Sequence, residues 1–299
     1  MEQDWKRARL PFLAIFGPPA FWLILFFVVP LAVIWGYSFG HNESLTEITI
    51  DGTWKNYIRA FDPVYLQIFA KSIWFAAITT FLCLIVGFPV ALAITFAPAK
   101  AKAWLLLLIM LPFWTNLLIR TYALMAVLRG EGYINKTLGW GWEGLQGLGL
   151  GLPDFTPLPL LHNNFAVILG LVYVNLPFLV LPLYAALDRL DRSLLEASLD
   201  LGAGHLRTIW EIVVPLALPG ILSGILITFI PALGSYLTPD LLGGPDSQMI
   251  ANVIERQFKK ANDWPFGAAL SFLLMYLTFF AIAFQTVIAS RRSRRGDAS

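Results

Sequence analysis

The chain has 299 residues, of which 58% are hydrophobic and 13% charged, with a formal net charge of +2 and a mean hydropathy of +0.69. Soluble domains average about 25% charged residues, so this composition excludes an ordinary soluble globular protein and indicates that a lipid bilayer is the solvent. The single cysteine, Cys83, excludes an internal disulfide and a cysteine-based metal site.

Long apolar stretches predict six membrane-spanning helices, because about 20 apolar residues cross the hydrocarbon core of a bilayer. The predicted fold class is therefore all-α integral membrane, with one transmembrane domain over residues 1–299. The approximate spans are residues 12–38, 72–97, 103–128, 164–187, 212–236 and 266–289. The first span is too long for a secretory signal, so we expect it to remain as an anchor. The third contains Arg120, whose long side chain we expect to reach the membrane edge while the helix continues past it.

An even number of spans places both termini on one side of the membrane, and the distribution of Lys and Arg predicts which side. The two tails and the second and fourth connections carry twelve of these residues, whereas the three longer connections carry nine when Arg120, near the outer end of the third span, is included. Because basic residues are enriched in short cytoplasmic segments, both termini and the 188–211 connection are predicted to be cytoplasmic. The basic run Arg291–Arg295 is then interpreted as a lipid-headgroup anchor beside a span.

The three outer connections contain aromatic residues interleaved with charges. In residues 42–71 this pattern predicts short amphipathic helices on the membrane surface. Residues 131–164 and 243–263 carry further charged side chains, which either contact another protein or are simply solvated.

No catalytic, metal or cofactor site can be assembled from the sequence. His41, His162 and His205 fall on three different connections, and neither HExxH nor G-x4-G-K-[ST] is present. The glycine-rich run 139–151 is not followed by Lys-Ser or Lys-Thr, so it does not form a phosphate-binding loop. We therefore expect no catalytic residue and no cofactor in this chain.

The hydrophilic 188–211 connection carries the most informative spacing of the chain. The triplet Glu196-Ala197-Ser198 is followed after three residues by Gly202, and after nine more by Ile-x-Val-Pro. The small side chains of the triplet and Gly202 let another surface approach the backbone closely, and Gly202 with Gly204 permits a turn between two short helices.

An apolar face on the first of these helices, about residues 193–201, is a candidate docking surface for another protein. Leu194, Ala197 and Leu201 recur at three- and four-residue spacing, and Glu196 lies beside them. The alternative is an ordinary surface helix whose glutamate is only solvated.

The spacing resembles the EAA loop of ABC importer permeases, E-A-A-x3-G-x9-I-x-L-P, with Ser198 for the second alanine and Val214 for leucine. Over residues 12–290 the chain is similar to the spermidine/putrescine family of permease subunits, especially the B-type subunit. The stretches that carry this resemblance are Pro112–Asn116, Leu118–Tyr122, Gly170–Tyr173, Leu176–Phe178, Pro182–Tyr184, Pro239–Gly244 and Asp263–Gly267.

The resemblance implies a type I ABC importer permease with cytoplasmic EAA coupling helices, and a transport role in place of an enzymatic one. Its implied partners are a second permease subunit, two ATP-binding subunits and a periplasmic substrate-binding protein, in a bacterial inner membrane. ATP and Mg would be bound by the ATP-binding subunits. The residues implied to contact an ATPase are Leu194, Glu196, Ala197, Ser198, Leu201 and Gly202.

Candidate residues of a polyamine pathway are mainly aromatic or polar groups in the spans: Trp114, Asn116, Tyr122, Asn175, Tyr236 and Asp240. Trp114 and Tyr122 are eight residues apart and share about one face of a helix, where each ring attracts an ammonium group by about 0.5–2 kcal/mol. The alternatives are an aromatic belt for the rings, helix–helix hydrogen bonds for the asparagines and a helix-end turn for Asp240.

Other functions remain open. The same architecture serves importers of other small solutes, such as ferric ion, thiamine or a phosphonate, and Arg120 in a span argues against a polycation. Two further hypotheses are a stand-alone channel and an intramembrane enzyme. The lack of a catalytic cluster in the sequence disfavours the enzyme.

Overall fold

The computed structural model describes residues 9–44, 47–148 and 153–296. These residues group into two compact units, one within residues 1–66 and 253–277 and the other within residues 67–252 and 278–299. The single transmembrane domain over residues 1–299 stays a prediction.

The described part of the chain is almost entirely helical, as the sequence predicts. Its helices and strands are, in order, α1 (Arg9–Leu23), a π-helical turn (Ile24–Val28), α2 (Val29–Tyr37), β1 (Gly40–Asn42), β2 (Ile48–Ile50), α3 (Lys55–Ala60), α4 (Pro63–Phe96), α5 (Ala99–Met110), a 3-10 turn (Leu111–Trp114), α6 (Leu117–Leu128), α7 (Tyr133–Gln146), α8 (Asn164–Leu187), α9 (Arg192–Asp200), α10 (His205–Thr208), a second π-helical turn (Ile209–Val213), α11 (Val214–Leu233), α12 (Leu237–Leu242), a 3-10 turn (Pro245–Ser247), α13 (Ile250–Lys259) and α14 (Trp264–Gly296).

Among the described residues, five helical segments are long and apolar enough to cross a membrane, and a bent helix pair brings the number to six when it counts as one span. The five are Ala14–Tyr37, Pro63–Phe96, Asn164–Leu187, His205–Leu233 and Trp264–Ala283. The fourth predicted span, residues 164–187, agrees with α8 at both ends. The helices that correspond to the second and fifth predicted spans are α4 and the segment His205–Leu233. Both begin earlier than predicted, because each helix extends beyond the apolar stretch into polar sequence.

The third predicted span, residues 103–128, is not one continuous helix. Its two parts, Ala99–Trp114 and Leu117–Gln146, are bent by 95°. Pro112 lies in the first turn of the 3-10 segment, and both Thr115 (φ −90°, ψ 147°) and Asn116 (φ −59°, ψ 136°) have extended backbone that ends the helix. The Asn116 side chain then caps α6 by accepting a 2.8 Å hydrogen bond from the Leu118 N–H.

The first unit contains an element that the sequence did not predict, a two-stranded antiparallel sheet of β1 and β2 with Gly40 opposite Ile50. A Cβ on Gly40 would lie 2.5 Å from the Thr49 carbonyl oxygen, so only glycine fits at this pairing. Next to it, Tyr57 is buried and its hydroxyl is 2.9 Å from the Ser38 hydroxyl. Tyr57 is thus a packing residue of this unit and not a surface residue.

The core of the second unit is the packing of α8 against α11. Gly220 and Gly224 lie one turn apart on α11 and let the two backbones approach closely. A Cβ on Gly220 would lie 2.2 Å from the Ala186 Cβ, and one on Gly224 would lie 3.3 Å from the Leu179 carbonyl oxygen. Since lipid is as apolar as the side chains, this close van der Waals packing is what favours helix association.

Candidate functional site

The connection between α8 and α11 begins with a capped short helix. The Asp191 carboxylate accepts a 3.0 Å hydrogen bond from the Ser193 N–H at the start of α9. This backbone hydrogen bond lowers the pKa of the Asp191 carboxyl. The helix ends at Asp200, one residue before the predicted end, and its range Arg192–Asp200 otherwise agrees with the expected helix.

The turn after α9 depends on a glycine. Gly202 has φ +84°, in the left-handed region that other residues rarely adopt. The predicted turn is therefore confirmed. The second helix differs from the prediction, because α10 is not a short separate helix. It continues through a π-helical turn into α11, so that residues 205–233 form one helical segment.

Ser198 does not lie on the exposed face of α9. Its side chain is 8% exposed, and its hydroxyl is 2.9 Å from the Thr208 hydroxyl on α10. The expectation that Ser198 lets another surface approach is thus not met, because α10 already occupies that side. The serine instead joins the two helices of the connection.

The other predicted coupling residues are exposed. Glu196 and Ala197 are exposed on α9, and Leu194 and Leu201 expose 47% and 89% of their surface. The exposed apolar surface also includes Leu206 and Trp210, which the sequence reasoning missed. Their four-residue spacing on a helix was the signal that would have identified them.

The sequence also did not predict an ion pair at the start of the 188–211 connection. Lys102, near the start of α5, lies 2.6 Å from the Asp188 carboxylate at the end of α8, and its ammonium is 5.6 Å from the centre of the Tyr184 ring. The hydrogen bond that the Lys102 ammonium donates to the Asp188 carboxylate raises the pKa of Lys102 and lowers that of Asp188. Opposite charges on two connections assigned to the same side of the membrane were its only sequence signal.

A cleft of about 370 Å³ lies in the second unit between α6, α8 and the end of α11. Its lining residues are Phe113, Leu117, Arg120, Val174, Asn175, Phe178, Pro231, Gly234, Ser235, Tyr236 and Leu237. Asn175 and Tyr236 are the two predicted pathway residues that the fold brings together here. Asn175 is buried, and its amide donates a 2.8 Å hydrogen bond to the Leu171 carbonyl oxygen of its own helix.

The other predicted pathway residues lie outside the lining of this cleft. Trp114, 74% exposed, ends the 3-10 turn, and Tyr122 is exposed on α6. The break at Thr115 and Asn116 lies between them, so they do not share one helix face as the spacing predicted. Asn116 is the cap of α6, and Asp240 is exposed on α12.

Arg120 differs most from its expected position. Its side chain does not extend to an exposed edge. It is 9% exposed and lines the cleft. Its Nε and Nη1 atoms are buried without a hydrogen-bond partner among the described residues.

Comparison with known proteins places these features in a family. Residues 8–294 match the family described as binding-protein-dependent transport system inner membrane component. The chain is 42% identical over 253 residues to the spermidine/putrescine transport system permease protein PotB of Escherichia coli (strain K12), covering 85% of this chain and 88% of that protein. It is 37% identical over 262 residues to PotB of Haemophilus influenzae, covering 87% and 88%.

The fold is also similar to a solved structure, a chain of a bacterial ABC transporter involved in the import of the acidic polysaccharide alginate. The TM-score is 0.73 at 16% identity, and 97% of this chain and 98% of that chain are covered. This likeness shows the fold of an ABC importer permease. Since the family match spans residues 8–294 and a relative is 42% identical over most of the chain, the chain belongs to the family of binding-protein-dependent transport system inner membrane components.

Proposed function

We propose that this chain is one permease subunit of an ATP-driven importer of polyamines such as spermidine and putrescine. The observation that carries the proposal is the 42% identity, over 85% of the chain, to a protein named as a spermidine/putrescine permease. A second permease subunit forms the other half of the pathway, and a periplasmic substrate-binding protein delivers the solute to the outer face. The family description, which specifies dependence on a binding protein, supports that last partner.

Two ATP-binding subunits supply the energy, with ATP and Mg bound there and not in this chain. The connection from α8 to α11 contacts one of them through the exposed face of α9. Its apolar side chains Leu194 and Leu201 enter a groove of the ATPase, with Glu196 and Ala197 beside them. Support for this role comes from their exposure and from the turn at Gly202, which presents α9 as a protrusion.

Polyamine movement relies on weak contacts in this chain. Exposed Trp114, Tyr122 and Tyr236 offer ring faces to ammonium groups, each contact contributing on the order of 0.5–2 kcal/mol, which allows release. Asn175, which lines the cleft with Tyr236, and Asn116, two residues after Trp114, supply polar groups, and Asp240 is an exposed carboxylate on α12. No carboxylate is among the residues that line the cleft, so strong cation binding resides in the binding protein and the second permease.

The protein lies in a bacterial inner membrane with both termini and the α9 protrusion in the cytoplasm. The family description supports the membrane, and the excess of Lys and Arg on the two tails and the 188–211 connection supports the orientation.

Reconstitution of the complete importer tests the proposed solute. The permease pair, the ATPase subunits and the binding protein are placed in proteoliposomes, and ATP hydrolysis and uptake are measured with spermidine, putrescine, thiamine, a phosphonate and ferric ion. We expect a polyamine to stimulate both activities and the other solutes to leave them at the basal rate. Stimulation by one of the other solutes alone would replace polyamine as the cargo, while solute flux without any ATPase subunit would indicate a channel.

A further inference from the structure

Arg120 is a buried positive charge without a counter-charge in the part of this unit that the structure describes. It lies in the first turns of α6, after the Asn116 cap, and only 9% of the residue is exposed. None of the ion pairs formed between described residues includes it.

The cleft beside Arg120 offers no negative charge to it. Its lining consists of apolar and neutral polar residues, without Asp or Glu. An unpaired charge in such surroundings is strongly unfavourable, and charged groups at membrane depth pair with one another. A carboxylate entering the cleft would accept hydrogen bonds along one edge of the planar guanidinium, from Nε and Nη2 or from Nη1 and Nη2. Either arrangement gives a partner to one of the two unpartnered nitrogens.

We propose that a carboxylate side chain of the second permease subunit occupies this cleft and pairs with Arg120, so that the cleft is part of the interface between the two permeases. The proposal rests on the proposed function in one respect: a polycationic cargo cannot supply the negative charge. A carboxylate of the second permease paired with Arg120 would neutralise the charge that otherwise repels a polyamine passing Asn175 and Tyr236. Exposed Phe113 and Tyr236 at the cleft provide an apolar rim that excludes water from the pair. Arg and aromatic residues of this kind dominate the energetics of protein interfaces.

A charge-reversal experiment tests the pairing. Tagged chains carrying Arg120→Glu, Arg120→Gln or Arg120→Lys are co-expressed with the other subunits, and the amount of second permease that co-purifies is measured without added solute. Arg129→Gln is the matched control, because Arg129 follows the same helix and is exposed. We expect the Glu variant to lose co-purification by on the order of tenfold or more. The Gln and Lys variants should lose less, since Lys keeps the charge without the planar fork, and the control should lose little.

Rescue identifies the partner group. Single Asp or Glu to Lys changes in the second permease are screened for those that restore co-purification of the Arg120→Glu chain, and we expect one such change to succeed. If Arg120→Glu does not accumulate in the membrane, the Arg120→Gln variant is screened instead with Asp→Asn and Glu→Gln changes, where we expect a neutral pair to assemble better than a single neutral variant.

Three outcomes would overturn the pairing. Full co-purification of both the Glu and Gln variants would show that no carboxylate depends on Arg120. Normal assembly with a lost or altered solute response would assign Arg120 to the cargo, and loss that anionic lipid restores would assign it to a lipid headgroup. Because assembly is measured without solute, a failed polyamine assay with successful charge rescue contradicts only the proposed cargo.

Discussion

At the scale of single residues, a substitution at Gly202 tests whether the backbone of this turn holds the α9 protrusion in place. A Cβ at Gly202 would meet no atom within 4 Å, so its φ of +84° is the only strain a side chain would introduce. We expect Gly202→Ala to destabilise the turn by about 1–2 kcal/mol, the usual penalty of a left-handed backbone for a residue with a Cβ. Hydrogen–deuterium exchange of the α9 amides in nanodiscs measures the loss of protection.

Gly204 is the matched control for this substitution. It also has open space around a built Cβ, but its φ of −73° suits any residue, so Gly204→Ala should leave the exchange of α9 unchanged. Solute imported per ATP hydrolysed should fall for Gly202→Ala and not for Gly204→Ala. Equal behaviour of the two variants would mean that the left-handed backbone at Gly202 does not control the protrusion.

The residue scale also shows what spacing alone can and cannot establish. The pattern around Glu196 correctly predicted a short helix and a glycine turn, because both depend on neighbouring residues. It could not predict that Ser198 faces Thr208, since that contact depends on how α10 returns toward α9. The assignment of Leu194, Leu201 and Glu196 to an ATPase contact is a prediction that only a partner chain can test.

At the scale of elements, the ion pair between Lys102 on α5 and Asp188 after α8 should hold two helix ends together. We expect Lys102→Asp or Asp188→Lys alone to increase hydrogen exchange at these ends, because each places like charges together. The double swap should restore protection. If the double variant is no better protected than either single variant, the two charges do not interact in the membrane-embedded protein.

The same pair has a defined pH dependence. The pKa of Asp188 is lowered from 3.8, so its contribution is present above 3.8 and is lost as the pH falls through the lower folded value. The pKa of Lys102 is raised from 10.5, so its contribution is present below 10.5 and is lost as the pH rises through the higher folded value. Protection relative to Asp188→Asn should thus be constant between these limits.

Hydropathy predicted the elements unequally for physical reasons. Helix α8 agreed at both ends because the Asn163 side chain caps it, accepting a 2.8 Å hydrogen bond from the Ala166 N–H, and because Asp188 ends the apolar run. The third span was predicted as continuous because an average over apolar residues does not detect the proline and extended backbone of Pro112–Asn116. The helix α4 starts early because hydropathy reports lipid contact, not helix length.

At the scale of the whole molecule, the orientation can be tested with introduced cysteines. Cys83 is fully buried, so it should not react with a membrane-impermeant maleimide. A Leu201→Cys side chain, at a site that is 89% exposed, should be labelled in inside-out vesicles and not in intact spheroplasts. A Trp140→Cys side chain on α7, also at an exposed site, should show the opposite pattern.

Unmodified protein serves as the background control, because it retains Cys83 alone. Labelling of Leu201→Cys from outside would invert the orientation and place α9 out of reach of a cytoplasmic ATPase. If Leu201→Cys and Trp140→Cys are both labelled from both sides, the vesicles are leaky.

The family was predictable from sequence over nearly the whole length, whereas the cleft was not. Its residues Arg120, Asn175 and Tyr236 are far apart along the chain, and no local periodicity relates them. Arg120 was expected at a membrane edge because the sequence predicts the third span as one continuous helix, whereas the helix pair is bent by 95° just before this residue.

The close approach of Gly220 to Ala186 restricts how a force on the protrusion can travel. With a built Cβ only 2.2 Å from its neighbour, α8 and α11 touch nearly backbone to backbone at this point, and α9 is attached to one of them at each end. Neither helix can therefore move closer to the other at this contact. If an ATPase moves α9 as we propose, α8 and α11 should therefore move together as one rigid unit and transmit the displacement to the other side of the bilayer.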